Sequence, residues 1–190
     1  MTHRKVVYTF KTKNGVKVKV YQVLPQDAAS LVNLFEHLST TSRYYRFREP
    51  LATPDPEVVW RTAQQMASVN PTEGIAFLAF ADLPDERHAP IAGARYIHLP
   101  DHTGAEVSIA VRDDLQRQGI ATELLNFISN HARAAGIKRL IAGFSTTNRA
   151  VWRLVQNAPF AVVTEIYGPE TEAAFDLDQP VDKETARVDR

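Results

Sequence analysis

The chain reads as an α/β (α+β) fold in which a mixed, mostly antiparallel central sheet of about seven strands is flanked by helices. Three features of the 190-residue sequence predict it. Short β-rich runs with period-two alternation recur along its whole length. Amphipathic segments of 3.6-residue period are interleaved with them rather than gathered at one end. A strand ending at Val111 passes through a short loop with one glycine into an amphipathic helix.

Each element has its own signal. Residues 6–10 and 16–24 are β-rich, and Asn14-Gly15 between them is a favoured hairpin turn because both residue types tolerate positive φ. Val16, Val18 and Val20 alternate with Lys17 and Lys19, which gives a strand with one buried face and one wet face. Pro25 opens a helix to about Leu38, with Ala28, Leu31, Leu34, Phe35 and Leu38 at helical spacing. A second helix runs from near Pro56 to Val69, where Asn70-Pro71 stops it. Strands follow at 75–80 and 91–97, joined by a polar, proline-bearing segment, and then at 106–111. The next helix carries Ile120, Leu124, Leu125, Ile128 and Ala132 on one face and ends at Gly136. A strand at 139–144, a short helix at 148–156 and strands at 160–167 and 172–177 complete the pattern. Residues 1–15 thus read as the N-terminal strand of a hairpin and 16–177 as one domain. Residues 178–190, charged and almost without apolar side chains, read as a flexible tail.

Composition excludes several classes of function. With 44% hydrophobic and 23% charged residues the chain is an ordinary globular protein. Its 22 basic and 22 acidic residues balance, so no general field draws it to nucleic acid or to an anionic membrane. An anionic ligand must be captured locally. The chain has no cysteine, hence no thiolate nucleophile and no cysteine-based zinc site. No apolar run approaches the ~20 residues of a membrane span, and the N-terminus lacks a signal-peptide core, which makes the cytoplasm the expected compartment.

The segment from Val111 to Thr122 is the strongest functional signal. The first N–H groups of a helix lack intrahelical partners and lie at the positive end of its dipole, so a strand-loop-helix junction of this form can hold a phosphate. Gly119 keeps side-chain bulk away from that approach. Just before it, Glu106, Ser108 and Ala110 alternate with Val107, Ile109 and Val111, which places Glu106 opposite the large apolar side chains. A carboxylate there is either a solvated strand residue or a base able to take a proton from an ammonium acceptor.

In its form, Gln-x-x-Gly-x-Ala after a strand ending in valine, this loop resembles the coenzyme A loop of the GNAT superfamily of N-acetyltransferases. Gln116, Gly119 and Ala121 fill its three fixed places. The resemblance implies the GNAT fold and acetyl-CoA as cofactor. It also implies backbone contacts from Ile109, Ala110 and Val111 to the pantetheine arm. The diphosphate would then sit on the amides of Arg117, Gln118, Gly119, Ile120, Ala121 and Thr122, with Gln116 at the mouth of the loop. The Arg117 side chain reads equally well as a phosphate contact and as a solvated charge. Downstream, Asn148, Leu154 and Phe160 match a second family motif. Val155 stands where many relatives carry a tyrosine that protonates the leaving thiolate, and Pro159 stands at its glycine place. Asn148 can serve the cofactor, cap a helix, or do both.

The stretch around Glu106 resembles more closely the bacterial Pat-type protein lysine acetyltransferases, in which a glutamate at this place is the general base and the tyrosine is lacking. Ser42-Arg43-Tyr44-Tyr45-Arg46-Phe47 is similar to a Pat-type stretch near the acceptor entrance. Tyr44, Tyr45 and Phe47 therefore border the acceptor or pack between helices. These resemblances imply direct acetyl transfer to a primary amine, with a protein lysine preferred. A small-molecule amine acetyltransferase and a non-catalytic acyl-CoA-binding module are the alternatives, and monomer and homodimer stay equally open. No metal is expected: His98 and His102 are interrupted by Pro100, and His37 and His131 read as helix-surface residues. Asp113 and Asp114 read as a helix cap or as solvated charges.

Overall fold

The computed structural model describes residues 4–100 and 103–181. One mixed sheet of eight strands organises it: β1 (Tyr8–Lys11), β2 (Lys17–Gln22), β3 (Gly74–Ala81), β4 (Ala89–His98), β5 (Ala105–Val111), β6 (Arg139–Ser145), β7 (Phe160–Tyr167) and β8 (Glu170–Pro180). The order across the sheet is β1-β2-β3-β4-β5-β6-β8-β7. Among the described residues only β5 and β6 run parallel. The sheet has eight strands rather than about seven, because β1, read from the sequence as a hairpin strand ahead of the domain, joins the same layer through β2.

Among the described residues five α-helices join the strands: α1 (Ala28–Glu36), α2 (Thr40–Phe47), α3 (Pro56–Ala67), α4 (Ile120–Ala134) and α5 (Arg149–Gln156). The helix expected from Pro25 begins as a single 3-10 turn, Pro25–Asp27, before α1. Asp27 anchors that turn, taking the Leu24 N–H at 2.7 Å and the Arg4 guanidinium at 2.7 and 2.8 Å. Helix α2 has no counterpart in the pattern analysis. Its sequence TTSRYYRF has no fully buried residue to leave an apolar stripe, and only the Ser39 cap, accepting from Ser42 N–H, marks its start.

The hairpin turn also differs from expectation. Thr12 N–H bonds to Val16 C=O across three residues, and only Gly15 has positive φ, +84°. Three-residue hairpin loops end this way, with the left-handed residue last.

Alternation along the strands divides the core in two. On one face Val18, Val20, Phe77, Ala92, Ala94, Val107 and Leu140 pack against Ile120, Leu124, Leu125, Ile128 and Ala132 of α4. On the other, Tyr21, Leu78 and Phe80 pack against Ala28 and Leu34 of α1 and Ala63 and Ala67 of α3. Gly93, Arg95, Glu106, Ser108 and Ala110 point to this second side by the two-residue period.

His131 corrects the surface assignment. It is half-buried beside the α4 core stripe, its ring 5.0 Å from that of Phe77 and its Nδ1 3.2 Å from the Tyr96 hydroxyl. Burial lowers its pKa below 6.5. The unfolded chain then binds the proton more readily than the native one, so stability is full above the unfolded value and is lost as pH falls through 6.5 toward the lowered native value. Thermal melts from pH 7 to 5 should show a falling Tm, and His131→Gln should flatten that fall while leaving a residual slope from the carboxylates. An unchanged slope would remove His131 from the acid response.

Candidate active site

Strands β5 and β6 pair only through Ala105 with Leu140 and Glu106 with Ile141. Beyond that vertex they diverge, and β5 residues 107–111 keep partners only on the β4 side. An exposed strand edge is an unpaired row of N–H and C=O groups, able to accept an extended ligand as an added strand. Ile109, Ala110 and Val111 lie on this edge. The Val111 carbonyl meets the Gln116 side-chain amide at 3.5 Å.

The open end of the gap is closed by the loop to α4. Gly119, with φ +86°, occupies the N-cap position, and the first helical bond runs from Glu123 N–H to Gly119 C=O at 3.0 Å. The N–H groups of Ile120, Ala121 and Thr122 precede that bond and are the helix's orphan donors. Arg117 adopts a left-handed φ of +63° and its side chain is exposed. Nothing crowds Gly119 except Lys13, whose Cγ would lie 3.6 Å from an added Cβ. Lys13 N–H also bonds Gln118 C=O at 3.0 Å, so the β1–β2 turn lays a cationic side chain along the loop. No sequence signal pointed to Lys13, which is far from the loop in the chain.

The aspartates do not cap α4; Asp114 faces solvent and Asp113 is half-buried, and both are tied into the loop. They form a 3-10 turn, Asp113–Leu115, pinned by the buried Arg112. Arg112 donates to Asp114 at 3.0 and 3.1 Å and to Glu86 at 2.8 Å, so Asp114 is neutralised at the base of the loop. Asp113 accepts from Ser42 Oγ at 3.1 Å and from Gln116 Nε2 at 3.3 Å, which ties α2 to the loop. Gln116 therefore braces the loop's mouth.

Asn148 caps α5, its side chain accepting from Val151 N–H at 3.2 Å. Val155 is buried in the core, so the place of the usual tyrosine carries packing and no hydroxyl. The aromatic trio separates. Phe47 lines a cavity and packs on Phe35 at 5.6 Å, Tyr44 is exposed, and Tyr45 reaches across to Thr147, with 3.4 Å between the oxygens. Thr147 Oγ1 is in turn 2.9 Å from Ser145 Oγ at the end of β6.

Glu106 is exposed at the vertex of the gap, on the face that carries α1, α2 and α3. Two arginines share its electrostatic neighbourhood, Arg46 from α2 and Arg95 from β4. Burial lowers both; for Arg46, burial first and then Arg95 bring the pKa to about 10, against a raising contribution from Glu106. In sequence neither stands out as a site residue: Arg46 falls within the 42–47 stretch and Arg95 within the strand at 91–97. Among the described residues no group of three or more His, Asp or Glu side chains could hold a metal ion. His102 lies outside the described residues.

The profile of the Acetyltransferase (GNAT) family matches residues 34–158, which include the split strand pair, the loop, α4 and α5. The chain belongs to this family. Its fold is the GNAT fold, and it is an acetyl-CoA-dependent N-acetyltransferase. The structure is similar to the GNAT domain of S. lividans PAT, with a TM-score of 0.75 and 24% identity over 89% of this chain and 96% of that one. It is also similar to RimL, a ribosomal-protein α-N-acetyltransferase solved with coenzyme A (TM-score 0.68, 13% identity, 92% of this chain and 99% of that one). An acetyltransferase from Thermus thermophilus aligns with a TM-score of 0.64 and 22% identity over 86% of this chain and 97% of that one. Among the described residues no helix is long and apolar enough to cross a membrane.

Proposed function

We propose that this GNAT enzyme transfers the acetyl group directly to a primary amine, with Glu106 taking the proton that the amine must lose. The observation that carries the reading is the position of Glu106 at the vertex where β5 and β6 part. Val111, at the open end, is five residues away, about 17 Å along the strand. An extended pantetheine arm running from the α4 amides along β5 matches that span, with Ile109, Ala110 and Val111 offering backbone groups to it. Residues 117–122 and Asn148 complete the cofactor contacts in this reading. When bound, acetyl-CoA supplies the activated acetyl thioester. With no cysteine in the chain, no thiol-bound acyl-enzyme forms, which favours transfer within one ternary complex.

A protein lysine is the acceptor supported by the likeness of residues 42–47 to the Pat-type stretch and by the structural likeness to the PAT domain. Tyr44, exposed on α2, and Tyr45, which reaches toward Thr147, would meet such a partner. A small-molecule amine is the second reading, and it has its own observation: the space beneath α2 is a cavity lined mainly by apolar side chains, with Phe47 in its wall. The cytoplasm is the compartment expected for either acceptor.

Thiol release from acetyl-CoA, measured against a panel of proteins and small amines with the acetylated product identified by mass spectrometry, tests the reading. Release should depend on the amine and match product one for one. Release that no amine accelerates would overturn direct transfer.

A further inference from the structure

The cavity between the sheet and helices α1, α2 and α3 holds two cations that proton removal by Glu106 does not require. It encloses about 290 Å³ and is lined largely by side chains such as Leu31, Leu34, Phe35, Phe47 and Met66. Arg46 and Arg95 both lie in its wall. Neither guanidinium makes an ion pair or a side-chain hydrogen bond among the described residues, although Arg46 rests on the Phe47 ring at 5.2 Å. Ser108, directly opposite Arg95 in the β4–β5 register, also lines the cavity, and its buried hydroxyl has no partner.

Cations beside an apolar space are costly, because burial removes water, and the nearby Glu106 carboxylate forms an ion pair with neither arginine. Each guanidinium offers five donors in a planar fork suited to a carboxylate. Two such forks and an orphan hydroxyl facing one apolar cavity define a ligand with an anionic end and a greasy body. Glu106 lies two residues from Ser108 on the same face, about 7 Å away. The amine and the carboxylate must therefore sit close together on the ligand.

We propose that this cavity is the acceptor pocket and that it takes an α-amino acid with a large apolar side chain. Arg46, Arg95 and the Ser108 hydroxyl hold the carboxylate, the apolar walls hold the side chain, and the α-amine is directed to Glu106. The proposal rests on the reading of the chain as a direct amine acetyltransferase and names its substrate class. In the reaction the amine nitrogen forms a bond to the acetyl carbonyl carbon and the carbon–sulfur bond breaks. The ammonium gives one proton to Glu106 before attack, the bonding pair leaves with sulfur, the second nitrogen proton passes through water to the thiolate, and Glu106 then releases its proton to solvent. The products are an N-acetylamino acid and free coenzyme A.

Calorimetry on the whole chain saturated with coenzyme A tests this with L-phenylalanine, L-leucine and their carboxamides, followed by mass spectrometry of the products formed from acetyl-CoA. The free acids should bind at least tenfold more tightly than the amides, and L-alanine should bind more weakly than L-leucine. Arg95→Met should remove the preference for acid over amide while leaving affinity for coenzyme A unchanged. Equal binding of acids and amides by the wild-type chain would overturn the proposal without any variant having to fold. Acetylation of a lysine peptide with no binding of any amino acid would overturn it too, while sustaining direct transfer to an amine. Failure of the underlying reading would show differently, as transfer that no amine supports.

Discussion

Gly119→Glu should abolish acetyl-CoA binding at ordinary concentrations while the chain stays folded. Two effects of the substitution must be separated. Gly119 has φ +86°, so any side chain there carries a left-handed strain of about 1–2 kcal/mol, small beside a typical folding stability of ~5–15 kcal/mol. The added Cβ meets only the Lys13 side chain, at 3.6 Å, which has room to move. The carboxylate, by contrast, enters the space before the α4 amides. Against a phosphate charge 4 Å away, at an effective dielectric of ~20, repulsion is about 4 kcal/mol, or on the order of 10³-fold in affinity. Gly136 supplies the control, since it has the same φ of +86° at the other end of α4 with nothing within 4 Å of an added Cβ. Gly136→Glu should lower Tm by a comparable amount and leave the calorimetric affinity for acetyl-CoA unchanged. Equal affinities for the two variants would detach the cofactor from the α4 N-terminus.

Glu106→Gln should lower the transfer rate on the order of 10²- to 10⁴-fold at pH 7, the usual contribution of a positioned general base. The side chain is exposed on β5 between the buried Ala105 and Val107, so an isosteric amide leaves the core intact and Tm within a degree or two. Acetyl-CoA affinity should hold, because the cofactor contacts proposed above do not include this side chain. The deficit should shrink as pH rises toward the acceptor's own pKa, ~10.4 for a lysine-type amine, since more of it is then already neutral. Steady-state rates for both proteins from pH 6.5 to 9.5 decide the matter. Parallel profiles would assign Glu106 to positioning and leave proton removal to solvent.

Much of this architecture is legible in the chain because its signals are local. The alternation of Val18 and Val20 with lysines, the α4 stripe from Ile120 to Ala132 and the polar-apolar switch at Glu106 each report one element's burial within a few residues. The same local character explains the misses. Helix α2 has no buried stripe and is held by its Ser39 cap and by contacts to α1, β5 and the 113–116 turn. His131 sits where a helix stripe meets the edge of the core, and only the approach of Phe77 and Tyr96 from two other strands makes it buried.

By itself the sequence determined the order of the elements other than α2, the buried faces, the strand-loop-helix form around Gly119 and the side of β5 on which Glu106 stands. All follow from periods of 2.0 and 3.6 and from the conformational needs of single residues. Only the tertiary structure decided that β5 and β6 part after the two ladder pairs Ala105–Leu140 and Glu106–Ile141, that Lys13 lies along a loop more than a hundred residues away, and that Arg46, Arg95 and Ser108 line one cavity. Strand register and helix placement are set by how distant faces pack together, and such packing leaves no periodic trace in either partner's own sequence.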